Sequence, residues 1–322
     1  MKMKIKKLKS SLHVFFLKYS TFSDNIILIL LFLSAIIGAG LITLNHFYFK
    51  YTVASWNYWR LWNFGMLFLV FIFWGMYIRK ISPRCATFLW GFGVYYWTFV
   101  VTSALTQGVQ ATPFLPIDEY LINADYWLGI NTPVIMAWIH MHPMIHAWLT
   151  KIYFSLTWQL IAIPAILMCL NARKILGVFF IAVLISFFIG TGIYYFFPTM
   201  APSGVFHSIY FTKQQHATSL AFYQVHHHLR ITESDGGLIA FPSFHVVWAI
   251  ILAYCCKAKK YIFYPLLIYN LILIAATVLL GWHYMMDVIS GIALAIFGIY
   301  AGEKILAVTQ SRATQPDLLY NF

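Results

Sequence analysis

Eight long apolar runs, nearly free of charge, constrain this chain more than any other feature. They cover residues 25–49, 61–78, 86–105, 152–170, 175–197, 241–256, 261–280 and 284–301. A helix needs about 20 residues to cross roughly 30 Å of bilayer hydrocarbon, and each run approaches that length. Backbone groups in lipid must be satisfied within the segment, and the runs show no barrel-like alternation, so they are predicted to be helices. Only 9% of the residues are charged and 61% are hydrophobic, whereas a soluble domain carries about 25% charged residues. The predicted fold class is all-α, a polytopic membrane helical bundle of about eight transmembrane helices. Its expected divisions are a basic leader at 1–24, N-terminal helices with an outer loop at 25–150, a catalytic membrane core at 151–305 and a tail at 306–322.

The formal net charge of +12 reads as topology rather than as affinity for nucleic acid, because of where the cations fall. With the N-terminus in the cytoplasm and strict alternation, every inner connection is basic. The inner segments hold Lys2, Lys4, Lys6, Lys7, Lys9, Lys18, Arg79, Lys80, Arg84, Arg173, Lys174, Lys257, Lys259, Lys260, Lys304 and Arg312. The outer side holds Lys50, Arg60, Lys151, Lys213 and Arg230. Such a bias sets orientation. Both termini are expected in the cytoplasm and residues 198–240 outside, in an integral protein of a plasma or inner membrane. Small residues at Ser34-Ala35 and Gly38-Ala39-Gly40 raise the alternative of a cleaved signal peptide; the long charged leader favours an uncleaved anchor. Cys85, Cys169, Cys255 and Cys256 are too few and scattered for a disulfide framework. All four fall near the inner face, where thiols stay reduced.

Against this background, two histidines and an aspartate stand at the ends of apolar runs, where ionisable groups are costly and functional. The stretch Gly236-Gly237-Leu238-Ile239-Ala240-Phe241-Pro242-Ser243-Phe244-His245 precedes one run, and Gly281-Trp282-His283-Tyr284-Met285-Met286-Asp287 opens another. Pro242 suits the first position of a helix. The N–H groups of Ser243, Phe244 and His245 would then lie in a first turn without intrahelical acceptors. Together with the helix dipole they form an anion site. The Ser243 hydroxyl adds a donor, and His245 can protonate a leaving oxygen. His283 and Asp287, four apart, would share a helical face. A carboxylate on one ring nitrogen fixes the tautomer and leaves the other to attack phosphorus, giving a phosphohistidine. Such chemistry needs neither metal nor other cofactor. The predicted partners are a lipid phosphate substrate and the bilayer.

The pattern resembles the type 2 phosphatidic acid phosphatase superfamily over roughly residues 150–305. Pro242-Ser243-Phe244-His245 is similar to that family's Pro-Ser-Gly-His motif, and His283-x-x-x-Asp287 to its His-x-x-x-Asp motif. The resemblance implies a type 2 phosphatidic acid phosphatase-like core with His283 as nucleophile, Asp287 as its orienter and His245 as acid. The branch containing inositol phosphorylceramide synthases is closer. Phe197-Pro198-Thr199-Met200-Ala201-Pro202 resembles its Phe-Pro-Thr-x-Pro-Pro segment, and His283-Tyr284-x-x-Asp287 its His-Tyr-x-x-Asp. Two departures stand out. Thr277 occupies the position of an arginine in the phosphatase branch, and there is no Lys-x6-Arg-Pro segment. The synthase-like and sphingolipid-synthase branches also tend to lack that arginine. Lys213 and Arg230 are the loop cations nearest the site and the candidates to replace those phosphate clamps.

The implied activity is that of a lipid phosphatase or an inositolphosphotransferase-like transferase, and the choice between hydrolysis and transfer stays open. The rival from another class is a lipid-binding or transport protein on the same fold. Other histidines invite metal or haem readings: His142 and His146 at i, i+4, and His226-His227-His228. No carboxylate or cysteine joins the first pair, and three consecutive side chains diverge, so interfacial histidines are the expectation. Residues 131–150, broken by Pro143, read as interfacial or re-entrant helices beneath the mouth of the site.

Overall fold

Several helices start at a capping residue or a proline: Thr21, Asn131 and Thr212 cap through side-chain hydrogen bonds, and Pro83 and Pro143 stand in a first turn. The computed structural model describes residues 18–50, 58–229, 231–232 and 239–314, leaving aside the side chains of 58–64 and 312–314. Residues 1–17 of the predicted leader, Arg230, and the glycine pair Gly236-Gly237 lie outside the described residues. The described residues form no strand. In chain order the helices are α1 (Phe22–Phe47), α2 (Tyr58–Tyr77), α3 (Pro83–Gln110), α4 (Asp118–Trp127), α5 (Thr132–His140), α6 (Pro143–Cys169) and α7 (Arg173–Phe196). There follow the single turn α8 (Pro202–Val205), then α9 (Lys213–His226), α10 (Phe244–Cys255), α11 (Lys260–Leu279) and α12 (Met285–Thr314).

The eight predicted runs reappear as α1, α2, α3, α6, α7, α10, α11 and α12. Among the described residues, α1, α3, α6, α7, α11 and α12 are long and apolar enough to cross a membrane by length and composition. α2 runs for 20 residues and α10 is apolar but has only 12. At 1.5 Å per residue α10 spans about 18 Å, less than the predicted 241–256 run, because Phe241 and Pro242 stay outside the helix. α6 starts at Pro143 rather than near Ile152, with the proline in its first turn where a missing N–H costs nothing. α12 continues to Thr314, so the tail predicted from 306 begins as helix.

Large apolar side chains such as Phe32, Leu67, Trp74, Ile161, Ile268 and Phe297 face outward. So broad an apolar exterior is suited to lipid. α7 is the inner helix: Leu176 and Val178–Leu184 are all buried in sequence, the mark of a helix covered on every side. It packs against α12, α3, α1 and α10.

Each end of the bundle carries its own polar cluster. At the end away from the site, Asp24 of α1 accepts from Arg79 at 2.5 Å and from Arg173 at 3.1 Å, and Arg173 also lies over the Trp90 ring at 4.1 Å. This end holds the helix termini bearing Lys18, Lys80, Arg84, Lys174, Lys257, Lys259, Lys260 and Lys304, whereas Lys50, Lys151 and Lys213 belong to the other.

Candidate active site

The first half of the site is built by the way α11 ends. Gly281 has φ +73°. Its N–H reaches the Val278 carbonyl at 2.9 Å and the Trp282 N–H reaches the Thr277 carbonyl at 2.9 Å, the paired bonds of a Schellman cap. The His283 N–H shares the Thr277 carbonyl at 3.1 Å. A Cβ on Gly281 would lie 2.3 Å from the sulfur of Met136 on α5, so both the left-handed turn and the close approach require glycine. Thr277, where the phosphatase branch carries arginine, is fully buried and its hydroxyl donates back to the Ile274 carbonyl at 2.7 Å. That position supplies no cation.

His283 therefore sits in a turn, and α12 begins only at Met285. The expectation that His283 and Asp287 meet on one helical face is corrected. Asp287 folds back over the start of α12: its Oδ2 accepts the Tyr284 N–H at 2.9 Å and faces His283 Nδ1 at 3.2 Å. Asp287 is entirely buried, and its Oδ1 has no partner among the described residues. Burial holds the His283 imidazole below its ordinary pKa, opposed by the nearby Ala240 carbonyl. A neutral ring keeps a lone pair available.

α10 supplies the second half. Phe244 is its first residue, with Ser243 at the N-cap and Pro242 one place earlier, so the expectation of Pro242 at the first helical position is corrected. The Ser243 N–H is committed to the Asp287 carbonyl at 3.0 Å. The N–H groups left without intrahelical acceptors are those of Phe244, His245 and Val246. Gly291 permits this junction, since a Cβ there would lie 2.7 Å from the Ser243 carbonyl oxygen. The Ser243 hydroxyl is buried without a partner among the described residues.

The two halves face each other. The His245 and His283 rings lie 5.7 Å apart between centroids, inclined at 60°. Tyr153 of α6 stacks on His245 at 4.6 Å and on Trp282 at 5.3 Å, which holds the plane of the His245 ring. His245, His283, Phe244, Tyr153 and Trp282 line a cavity of about 360 Å³, as do Met200 and Ala201 from the Phe197–Pro202 segment. Ser243 does not line it. Lys213 is exposed at the start of α9, while its neighbour Gln214 reaches the wall. No lysine, arginine or carboxylate is among the described residues that line it.

Two carboxylates that the motifs do not include hold the turn in place. Asp118 and Asp125 lie seven apart, two turns along α4. Asp118 accepts from the Tyr284 hydroxyl at 3.0 Å and from the Met200 N–H at 2.9 Å. Asp125 accepts the Met285 N–H through both oxygens, at 3.0 and 3.1 Å. The two residues after His283 are thus fastened to α4, and the Phe197–Pro202 segment is tied to the same helix. Burial pushes the Asp118 carboxyl up to about 6, against the lowering effect of those hydrogen bonds.

Elsewhere the rings that meet are His140 and His146, at 4.5 Å, with Tyr210 4.7 Å from His140. His142, the other half of the predicted pair, turns its Nδ1 to the Trp138 carbonyl at 2.8 Å. His226 and His227 stack on Phe222 and Tyr223 of their own helix, at 4.0 and 3.9 Å.

Residues 119–301, more than half of the chain and inclusive of both histidine motifs, match the family described as the PAP2 superfamily. The chain belongs to the PAP2 superfamily. Neither the curated proteins nor the solved structures compared with it gave a significant match. The PAP2 region runs from α4 into α12 and contains the whole cavity wall except Thr106, while α1–α3 precede it. PAP2 membership carries phosphatase- or phosphotransferase-type activity at a membrane.

Proposed function

We propose that the chain is a membrane-embedded enzyme that takes a phosphoryl or substituted phosphoryl group off a lipid through a phosphohistidine at His283. The observation that carries this reading is the buried His283–Asp287 pair facing His245 across one cavity at the start of α10. Asp287 holds the Nδ1 proton, so Nε2 presents its lone pair to phosphorus. The N–H groups of Phe244, His245 and Val246 receive phosphate oxygens. Nε2 attacks, the P–O bond to the leaving alcohol breaks, and His245 gives that oxygen its proton. Lys213, exposed at the start of α9, and Arg230 are proposed to supply cations to the phosphate. Ser243 is proposed to reach it only indirectly, through the N-cap it forms.

The Thr277 side chain, turned onto its own helix, supports the inositol phosphorylceramide synthase-like branch over the phosphatase branch, and with it sphingolipid-synthase-like transfer. The test is a panel of lipid phosphates and phosphodiesters incubated with purified protein, scored for both free phosphate and new phospholipids. Turnover of at least one lipid is expected. Binding without turnover across the panel would replace this reading with that of a non-catalytic lipid carrier.

The cation distribution supports a site on the extracytoplasmic side with both termini inside. Ile209 is 90% exposed on the loop over the site, whereas the exposed thiols Cys85 and Cys169 lie at the other end. An impermeant maleimide on intact cells should label Ile209→Cys protein and leave wild type unlabelled. Labelling of wild type, matched by the variant that retains Cys85 and Cys169, would invert the orientation.

A further inference from the structure

The catalytic turn and one wall of the cavity are fastened to the same place, the start of α4. The Ile117 N–H donates to the Pro198 carbonyl at 2.9 Å, and Asp118 Oδ2 accepts the Met200 N–H at 2.9 Å. The other oxygen of Asp118 accepts from the Tyr284 hydroxyl at 3.0 Å. Tyr284 follows His283, and its own N–H goes to Asp287 Oδ2, the atom that faces His283 Nδ1. A continuous line of hydrogen bonds therefore runs from the Met200 backbone through Asp118 and Tyr284 to the His283–Asp287 pair. Asp118, Tyr284 and Asp287 are all buried, where such bonds are strong and a half-made network is costly. Asp125 turns both oxygens to the start of α12, whereas Asp118 divides its two between the turn and the wall. That wall is Met200 and Ala201, which line the cavity with His245 and His283. Ala201 has φ +65°, a left-handed backbone that a residue with a Cβ keeps only where its surroundings hold it. The Tyr194 and Thr199 hydroxyls are buried without a partner among the described residues, so neither shares this tie.

We infer that Asp118 is a positioning residue that couples this wall of the cavity to the turn bearing the proposed nucleophile. For its effect on rate the inference rests on the phosphohistidine reading above; the coupling itself does not. Asp118 is not among the described residues that line the cavity, so its carboxylate acts through Tyr284 and Met200 rather than on substrate. It sets where the wall stands relative to His283 Nε2, and alignment of a bound group with its nucleophile carries much of the rate of such a step. An amide at position 118 can still accept the Met200 N–H with its oxygen and donate to the Tyr284 hydroxyl oxygen with its NH₂ group, whereas a leucine can do neither. The backbone bond from Ile117 to Pro198 survives both changes. The segment then stays against α4, and only its side-chain tie to the turn is cut.

Two measurements test the coupling. The first is amide hydrogen exchange in the full-length His283→Ala chain, which needs no turnover. Adding Tyr284→Phe removes one bond of Asp118 and leaves the Met200 N–H bond in place. Amides of the Phe197–Pro202 segment should nonetheless exchange about threefold faster, and faster still with Asp118→Leu. The second, with His283 present, is the rate at which labelled lipid phosphate phosphorylates the protein, read by rapid quench and normalised to folded protein. Asp118→Leu should slow it about thirtyfold and Asp118→Asn only about threefold, since the amide keeps both contacts in weaker form. Asp118→Asn/Tyr284→Phe should be no slower than the slower of its two single variants, the mark of residues acting as one unit. Asp118→Asn and Tyr284→Phe carry both arms if Asp118→Leu does not fold. Exchange of the segment unmoved by Tyr284→Phe would mean two independent hydrogen bonds and would overturn the coupling. Variants that melt earlier but phosphorylate at the wild-type rate per folded molecule would reduce Asp118 to a structural carboxylate and overturn its role in positioning. Coupled exchange in a chain whose wild type forms no phosphohistidine would keep the tie and fail the phosphohistidine reading alone.

Discussion

His283→Ala should lose turnover of every lipid phosphate, a fall of at least about 10⁴-fold, since loss of a nucleophile removes the covalent path itself. The side chain touches Asp287 at 3.2 Å and lines the cavity, but no helix depends on it: beside the Schellman cap made by Gly281 and Trp282 it contributes only its backbone N–H, which alanine retains. The variant should therefore fold with the wild-type helix content and thermal transition. Rapid quench with labelled substrate should trap an acid-labile, base-stable phosphoprotein in wild type and none in His283→Ala. Asp287→Asn should fall between the two. It keeps a hydrogen-bonding group over the Tyr284 N–H but no longer enforces the Nδ1–H tautomer. Label remaining in His283→Ala would end the assignment, and label on serine would transfer the role to Ser243.

The helical architecture was legible because each long element is an uninterrupted apolar run, and lipid leaves the backbone few alternatives. Pairing the two histidine motifs was legible as well, from order and position alone. What the spacing misjudged is how the pairs meet. Four residues between His283 and Asp287 suggest a helical face, yet the contact is a cap, because Gly281 turns the chain and α12 starts after the histidine. Pro242 suggests a first helical residue, yet Ser243 takes the N-cap because its N–H is drawn to the Asp287 carbonyl. Asp118 and Asp125 were visible as residues without a role. In a chain with only nine acidic residues, two of them seven apart on one short helix are a signal of a shared face. Their partners, the Tyr284 hydroxyl and the Met285 N–H, are more than 150 residues distant, and no local pattern reveals that. The stacking of Tyr153 on His245 is equally non-local, joining α6 to α10.

His245→Ala should behave differently from His283→Ala, and the difference isolates proton transfer from covalent attack. With an ordinary lipid substrate the leaving alkoxide needs a proton as the P–O bond breaks. Loss of that acid should cost about 10²–10⁴-fold. With p-nitrophenyl phosphate the leaving group departs as a stable phenolate and needs none. His283, still held by Asp287, can attack it, so the variant should keep a near-wild-type first-turnover burst of p-nitrophenolate and then slow as the phosphoenzyme accumulates, since its breakdown wants a base at the same position. The backbone N–H groups of α10 persist in the alanine variant, which leaves the anion site in place. The stack on Tyr153 is lost, so a thermal scan is needed to show the helix intact. Ser243→Ala is the comparison. Its hydroxyl is buried without a described partner and does not line the cavity, so both substrates should slow together, by no more than the tenfold or so that one lost hydrogen bond supplies. An equal fall on lipid and p-nitrophenyl phosphate in folded His245→Ala would remove His245 as the acid and leave it a role in binding phosphate.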